Sequence, residues 1–182
     1  MLRYTAFIVA LCSCGDGTPV RATFVTEAFD DGGPVSIAIV VDGARVAAYA
    51  CADDVASDRY PGWFVGDTHD GRFDLALDGW TLSGHFSADG AEGTIVEPDG
   101  TAVAFASARA SDSDLTGVYR DDTGMAGVIV LADGTGAPVV RGAWRNVLQV
   151  TPVLPLEIVD DRMVVDVSSW RLSVERVRAV TW

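Results

Sequence analysis

The sequence predicts an all-β fold: an antiparallel meander of about ten strands, closing as a barrel or a β-sandwich, with little helix. Three observations carry this. The stretch from Trp63 to Ala106 is a series of short alternating runs broken by Asp-Gly pairs, at Asp70-Gly71, Asp78-Gly79, Asp89-Gly90 and Asp99-Gly100. Type I′ hairpin turns need positive φ at both central residues, which Asp tolerates and Gly adopts without steric penalty. Between these pairs the side chains alternate with a period of two: Phe73, Leu75 and Leu77 share one face, against Arg72, Asp74 and Asp78. Finally, the charged residues are of the wrong kind for helices. The 13 basic residues are all Arg, and Glu occurs only at Glu27, Glu92, Glu97, Glu157 and Glu175. Glu and Lys populate exposed helix faces, whereas Asp belongs in turns and caps.

Taken in order, residues 1–13 have one basic residue and an apolar run from Tyr4 to Leu11. That run is shorter than the roughly 20 apolar residues of a membrane span and fits the core of an export signal. Leu11-Cys12-Ser13-Cys14 follows. It resembles the bacterial lipobox, in which a Leu and two small residues precede the Cys that becomes lipidated. The resemblance implies a signal peptide over residues 1–13, cleavage before Cys14, a lipid on Cys14, and a Gly- and Pro-containing tether over residues 14–20. The place implied is the cell envelope: an exported lipoprotein, held to the membrane by its lipid and facing the periplasm or the exterior. An ordinary secretory signal or a core strand is the alternative. Cys51 would then be the one cysteine left unmodified, a small buried hydrophobe. If Cys14 stays unmodified, a Cys14–Cys51 disulfide becomes possible.

Residues 21–182 read as a single all-β domain. Arg21 to Phe29 sets Ala22, Phe24, Thr26 and Ala28 against Thr23, Val25 and Glu27, a first strand. Val35 to Val41 and Arg45 to Cys51 flank Asp42-Gly43 as a hairpin, and residues 52–62 are turn-rich. The meander follows, in which Trp80, Leu82 and Phe86 alternate with Thr81, Ser83, His85 and Ser87. Ser107 to Ser113 reads as a loop, and Gly117 opens the next strand. Gly127 to Leu131 and Pro138 to Trp144 flank Asp133-Gly134. Pro152 and Pro155 favour a strap or edge segment, and Met163 to Val167 and Arg171 to Val177 give the last strands. One pattern occurs twice: residues 93–101 and 127–135 both read GxIVxxDGT, as a duplicated hairpin or convergence on a good turn would produce.

The runs AYAC (Ala48 to Cys51), WFVG (Trp63 to Gly66), GTIV (Gly93 to Val96), FASA (Phe105 to Ala108), GVYR (Gly117 to Arg120) and GVIVLADGT (Gly127 to Thr135) resemble a group of β-rich secreted or lipid-anchored proteins of GC-rich bacteria. The resemblance spans Val35 to Thr135. It implies a β-rich fold and an exported address, and it carries over no catalytic residue.

Net charge bounds the partners. At −13, the chain is a poor match for nucleic acid, which is bound largely through Lys and Arg on phosphates. A basic patch for anionic membranes is equally unexpected, so contact with the membrane would run through the lipid on Cys14. A small molecule or another envelope protein is the remaining class of ligand.

No GxSxG, HExxH or CxxC pattern occurs, and a phosphate loop with its Lys is excluded in a Lys-free chain. The expected activity is therefore non-catalytic, without a cofactor. Asp67 and His69 in one loop, with His85, form the alternative, a metal site or metal-dependent enzyme, provided the two histidines approach each other across neighbouring hairpins. Asp112 to Gly117 starts like a calcium loop, but its twelfth position is Thr123 instead of the bidentate Glu. Trp63, Trp80, Tyr119 and Trp144 are candidates to line a cavity for a hydrophobic or amphipathic ligand, with core filling as the simpler role.

Overall fold

A computed structural model describes residues 20–30, 33–52, 62–112, 115–132, 138–144, 157–159, 161–167 and 170–181. Among them every regular element is a strand. Eight strands form a closed antiparallel barrel in simple sequential order. They are β1 (Arg21–Asp30), β2 (Gly33–Asp42), β3 (Arg45–Ala52), β4 (Gly62–His69), β5 (Arg72–Leu77), β6 (Trp80–Phe86), β7 (Gly90–Val96) and β8 (Ala102–Arg109). The remaining strands are β9 (Gly117–Arg120), β10 (Ala126–Ala132), β11 (Pro138–Trp144), β12 (Glu157–Val159), β13 (Arg162–Val167) and β14 (Trp170–Arg176). They make a second sheet ordered β11-β10-β9-β14-β13-β12. The all-β expectation holds. So does closure as a barrel, and the described residues form fourteen strands, eight in the barrel and six in a sheet of their own.

β8 closes on β1 through the pairs Phe24↔Arg109 and Val25↔Ala108. The seam is reinforced by the Thr26 hydroxyl donating to the Ala106 carbonyl at 2.8 Å and the Ala110 amide donating to Thr23 at 2.7 Å. Closure leaves this sheet no free edge.

Alternation then decides what each residue touches. Phe24, Ile37, Ile39, Phe64, Phe73, Leu75, Trp80, Leu82, Ile95 and Phe105 all point inward and pack as one cluster. An eight-stranded barrel is just wide enough to be filled by side chains. Burying each aromatic or leucine stabilises the fold by about 1.5–3 kcal/mol. Glycines make room for the rings. Gly84 and Gly93 face each other across β6 and β7, and a Cβ on them would come within 2.8 Å of Phe73 Cζ and 2.9 Å of Phe105 Cζ respectively.

β2 is buried on both faces, as a nearly unbroken apolar run demands. Its Val35, Ile37, Ile39 and Val41 enter the barrel, while Ala38 and Val40 point outward. With Ala47, Tyr49 and Cys51 of β3, these outward residues meet Val118, Ile129 and Leu131 of the second sheet. The second sheet thus covers the outside of the barrel at β2 and β3. Its other face has a core of its own, with Tyr119, Val128, Val130, Met163 and Val174.

The Asp-Gly pairs differ from expectation in detail. Asp70-Gly71 (φ 51° and 73°) and Asp78-Gly79 (φ 50° and 86°) are two-residue turns with both φ positive, as predicted. Asp99-Gly100 instead closes a longer turn: the Gly100 amide donates to Glu97 at 2.9 Å, and Gly100 takes φ 92°. This is a type I turn followed by a left-handed bulge residue, which Pro98 favours at its second position. Asp89-Gly90 lies at the end of a wider loop in which Gly90 already pairs with Ala108 of β8. At the first hairpin Asp42 pairs with Arg45, so the turn is Gly43-Ala44, one residue later than expected. β8 also extends through Arg109, into residues read as loop.

Candidate functional site

The predicted site residues do not converge. Trp80 is 7% exposed inside the barrel. Trp63 points outward from the neighbouring part of the wall, against Tyr49 with ring centroids 4.9 Å apart. Tyr119 is buried on the far face of the second sheet, its hydroxyl donating to the Leu115 carbonyl at 2.8 Å. Burial pushes its pKa up, and the Arg176 charge opposes this only in part. These three side chains thus sit in three separate packed regions, the core-filling role, and share no one cavity. The reason is the pleat: neighbouring strand positions face opposite ways. Trp144 ends β11, and its side chain lies outside the described residues.

The histidines stand on the barrel exterior. The register pairs His69 with Arg72, Arg72 with His85, and His85 with Glu92. Arg72 therefore stands between the histidines, which are two strands and about 10 Å apart at the usual strand spacing. His85 is engaged by Glu92 at 3.3 Å, and Asp67 by Arg45 at 3.4 Å. The metal alternative depended on an approach of the two histidines, and the register sets this alternating row there instead. Among the described residues no three His, Cys, Asp or Glu side chains form a metal-ligand group. Of the calcium-like loop, Ser113 and Asp114 lie outside the described residues, and the Asp112 carbonyl accepts from Arg176 at 3.3 Å.

Cys51 is 1% exposed, packed between barrel and sheet as a small hydrophobe. Cys14, its possible disulfide partner and the expected lipid carrier, lies outside the described residues.

Two concave surfaces are formed by described residues. One, of about 740 Å³, lies along β9, β13 and β14. It is a charged cleft, in which Arg120, Arg162, Arg176 and Arg178 alternate with Asp121, Asp122, Asp161 and Glu175. Four of its charges form two pairs, Arg178 with Asp161 and Arg162 with Glu175. Arg178 grips Asp161 with two bonds of 2.7 Å, and that bond holds the Asp161 carboxyl below its ordinary pKa while raising that of Arg178. Arg162 lies 3.6 Å from Glu175. Buried Arg176 donates to the carbonyls of Ser111 at 3.1 Å and Thr116 at 2.7 Å. The Asp121 carboxylate accepts from the Ala126 amide at 2.8 Å and from the Thr123 hydroxyl, which fixes the turn before β10. These bonds tie strand ends together.

The other surface is the mouth of the barrel, a shallow basin of about 420 Å³ bordered by Val20, Gly43, Ala44, Thr68, Gly71, Phe86 and Ala88. Sequence reasoning passed over both surfaces. The cleft draws its arginines from β9, β13, β14 and the segment after β14, and the mouth is made of turn residues that acquire a common location only when the barrel closes. The clustering of Arg162, Arg171, Arg176 and Arg178 near the C-terminus was the one available signal.

Compared with known protein families, curated proteins and solved structures, the chain matches none.

Proposed function

We propose that this protein is an exported, lipid-anchored component of the cell envelope, with a non-catalytic β-domain that binds or displays a ligand through its outer surface. The observation that carries this reading is Leu11-Cys12-Ser13-Cys14 behind an apolar run and six residues ahead of Val20, where the barrel begins. That arrangement is what a lipid-bearing cysteine on a short tether needs. The ring-filled barrel supports the outer surface as the working face, because described inward positions are taken by Phe24, Phe64, Phe73 and Phe105.

The test is the fate of Cys14. Expressed in a bacterium with the lipoprotein pathway, the protein should carry a diacylglyceryl group on Cys14 by mass spectrometry and partition into detergent. Cys14→Ala, or inhibition of lipoprotein signal peptidase, should leave an unprocessed precursor. Processing and release unchanged by either treatment would exclude the anchor.

A further inference from the structure

We infer that the barrel stands on the membrane with its mouth toward the lipid headgroups and its opposite end pointing away. This rests on the proposed anchor at Cys14 and adds the surface that meets the bilayer.

The first argument is the point of attachment. Strand direction puts Val20, Gly43-Ala44, Asp70-Gly71 and Ser87-Ala88-Asp89 at one end of the barrel. The chain arriving from Cys14 enters at that end. Six residues reach at most about 20 Å when fully extended. Lying the barrel with its far end on the membrane would require a tether long enough to pass its full height as well as to leave the surface. The strands are about eight residues, so that height is itself roughly 20 Å once tilt is allowed for.

Charge supplies the second argument. Among the described residues of the barrel, the arginines are Arg21, Arg45, Arg72 and Arg109, and all four lie at the mouth end. Beside them stand Asp42, Asp67, Asp70, Asp74, Asp89 and Glu92, with Asp42 only 2.7 Å from Arg21. Arg45 lies 3.4 Å from Asp67, so the four arginines offset most of the acidity at this end. The opposite end has Asp78, Glu97 and Asp99 and, among the described residues, no arginine. An anionic headgroup layer repels acidic groups within a Debye length of about 8–10 Å. A barrel whose acidity is largely offset by arginine at one end and not at the other is therefore turned with its arginine-bearing end down.

The third argument is the form of that end. Its turns are built from small residues, Gly43, Ala44, Gly71 and Ala88, around the Phe86 ring, and Val20 at the entry is 44% exposed. Asp70 also lines this basin and is exposed, so the rim can approach headgroups with its one charge kept in water.

The test uses the full lipidated protein, extracted and reconstituted into vesicles of phosphatidylethanolamine and phosphatidylglycerol. A fluorophore is placed on Ala88→Cys or Ala44→Cys at the mouth, and on Thr101→Cys or Ala102→Cys at the far end. All four positions are exposed, and Cys51 is too buried to compete for label. A lipid with a nitroxide on its headgroup serves as quencher. Quenching at the mouth should exceed that at the far end at least about threefold, because the far end stands roughly 20 Å further from the nitroxides. Two positions at each end keep the result independent of any one variant's folding. Lipidated protein with equal quenching at both ends, or stronger quenching at the far end, overturns the orientation and leaves the anchor intact. Mouth labels shielded from the quencher and cross-linkable to one another overturn it in favour of a second copy on that surface. Protein without lipid on Cys14 overturns the anchor, and the orientation with it.

Discussion

The ring of Tyr49 lies flat against the backbone of Gly127, joining the barrel wall to the second sheet: a Cβ on Gly127 would sit 2.4 Å from both Cε2 and Cζ of Tyr49. Tyr49 is 2% exposed and packed against Trp63, so it cannot swing aside. Gly127→Ala should therefore destabilise the protein by about 1–3 kcal/mol, the usual range for overpacking a filled core. Urea denaturation should show a lower midpoint. A midpoint unchanged from the parent would mean that the two sheets are not locked by this contact.

Arg176 holds the segment that links β8 to β9. Its guanidinium donates to the carbonyls of Ser111, Asp112 and Thr116, and the residue is 8% exposed. Arg176→Met keeps much of the volume and leaves those carbonyls without their donor. A loss of about 2–3 kcal/mol is expected, and Arg176→Lys should restore only part of it, because one ammonium cannot reproduce a planar fork. Equal stability of the Lys variant and the parent would show that charge alone matters here.

At the turn between β4 and β5, Asp70 has φ 51°. A left-handed conformation costs an ordinary L-residue about 1–2 kcal/mol, more when it is β-branched, and costs Asn little. Asp70→Val should lower stability by about that amount, while Asp70→Asn should stay within roughly 0.5 kcal/mol of the parent. Equal losses in both would point to the carboxylate, rather than the backbone angle, as the reason for Asp at this position.

The barrel was legible in the sequence because each cause was local. Phe73, Leu75 and Leu77 alternate, Asp70-Gly71 turns, and the inward set follows from the pleat. What covers the barrel was not local. Ala47, Tyr49 and Cys51 are as apolar as the inward residues of β3, which tells that both faces are buried but not by what. The repeated GxIVxxDGT pattern even concealed the division, since its first copy includes β7 of the barrel and its second β10 of the other sheet. The two copies share a physical role: Gly93 and Gly127 are each covered by an aromatic ring. The candidate site fared worse for the same reason. Asp67, His69 and His85 are near in sequence, but the register interposes Arg72, and only strand pairing reveals that.

The Arg178–Asp161 pair gives a dependence on pH. The hydrogen bond from Arg178 lowers the Asp161 pKa below its unfolded value. A depressed carboxyl pKa contributes stability that is present above the unfolded pKa, near 3.9, and is lost as pH falls through the folded one. The contribution is modest, because both side chains are nearly half exposed and solvent screens the pair. Asp161→Asn is the suitable variant, since the residue has φ 64°, which Asn tolerates. Near neutral pH the variant should be less stable than the parent by no more than about 1 kcal/mol. Below about pH 4 the gap should close, as the parent loses what the variant never had. Denaturation midpoints measured from pH 7 down to pH 3 should therefore converge. A gap that stays constant over that range would show that the bond to Arg178 does not depend on the ionised carboxylate.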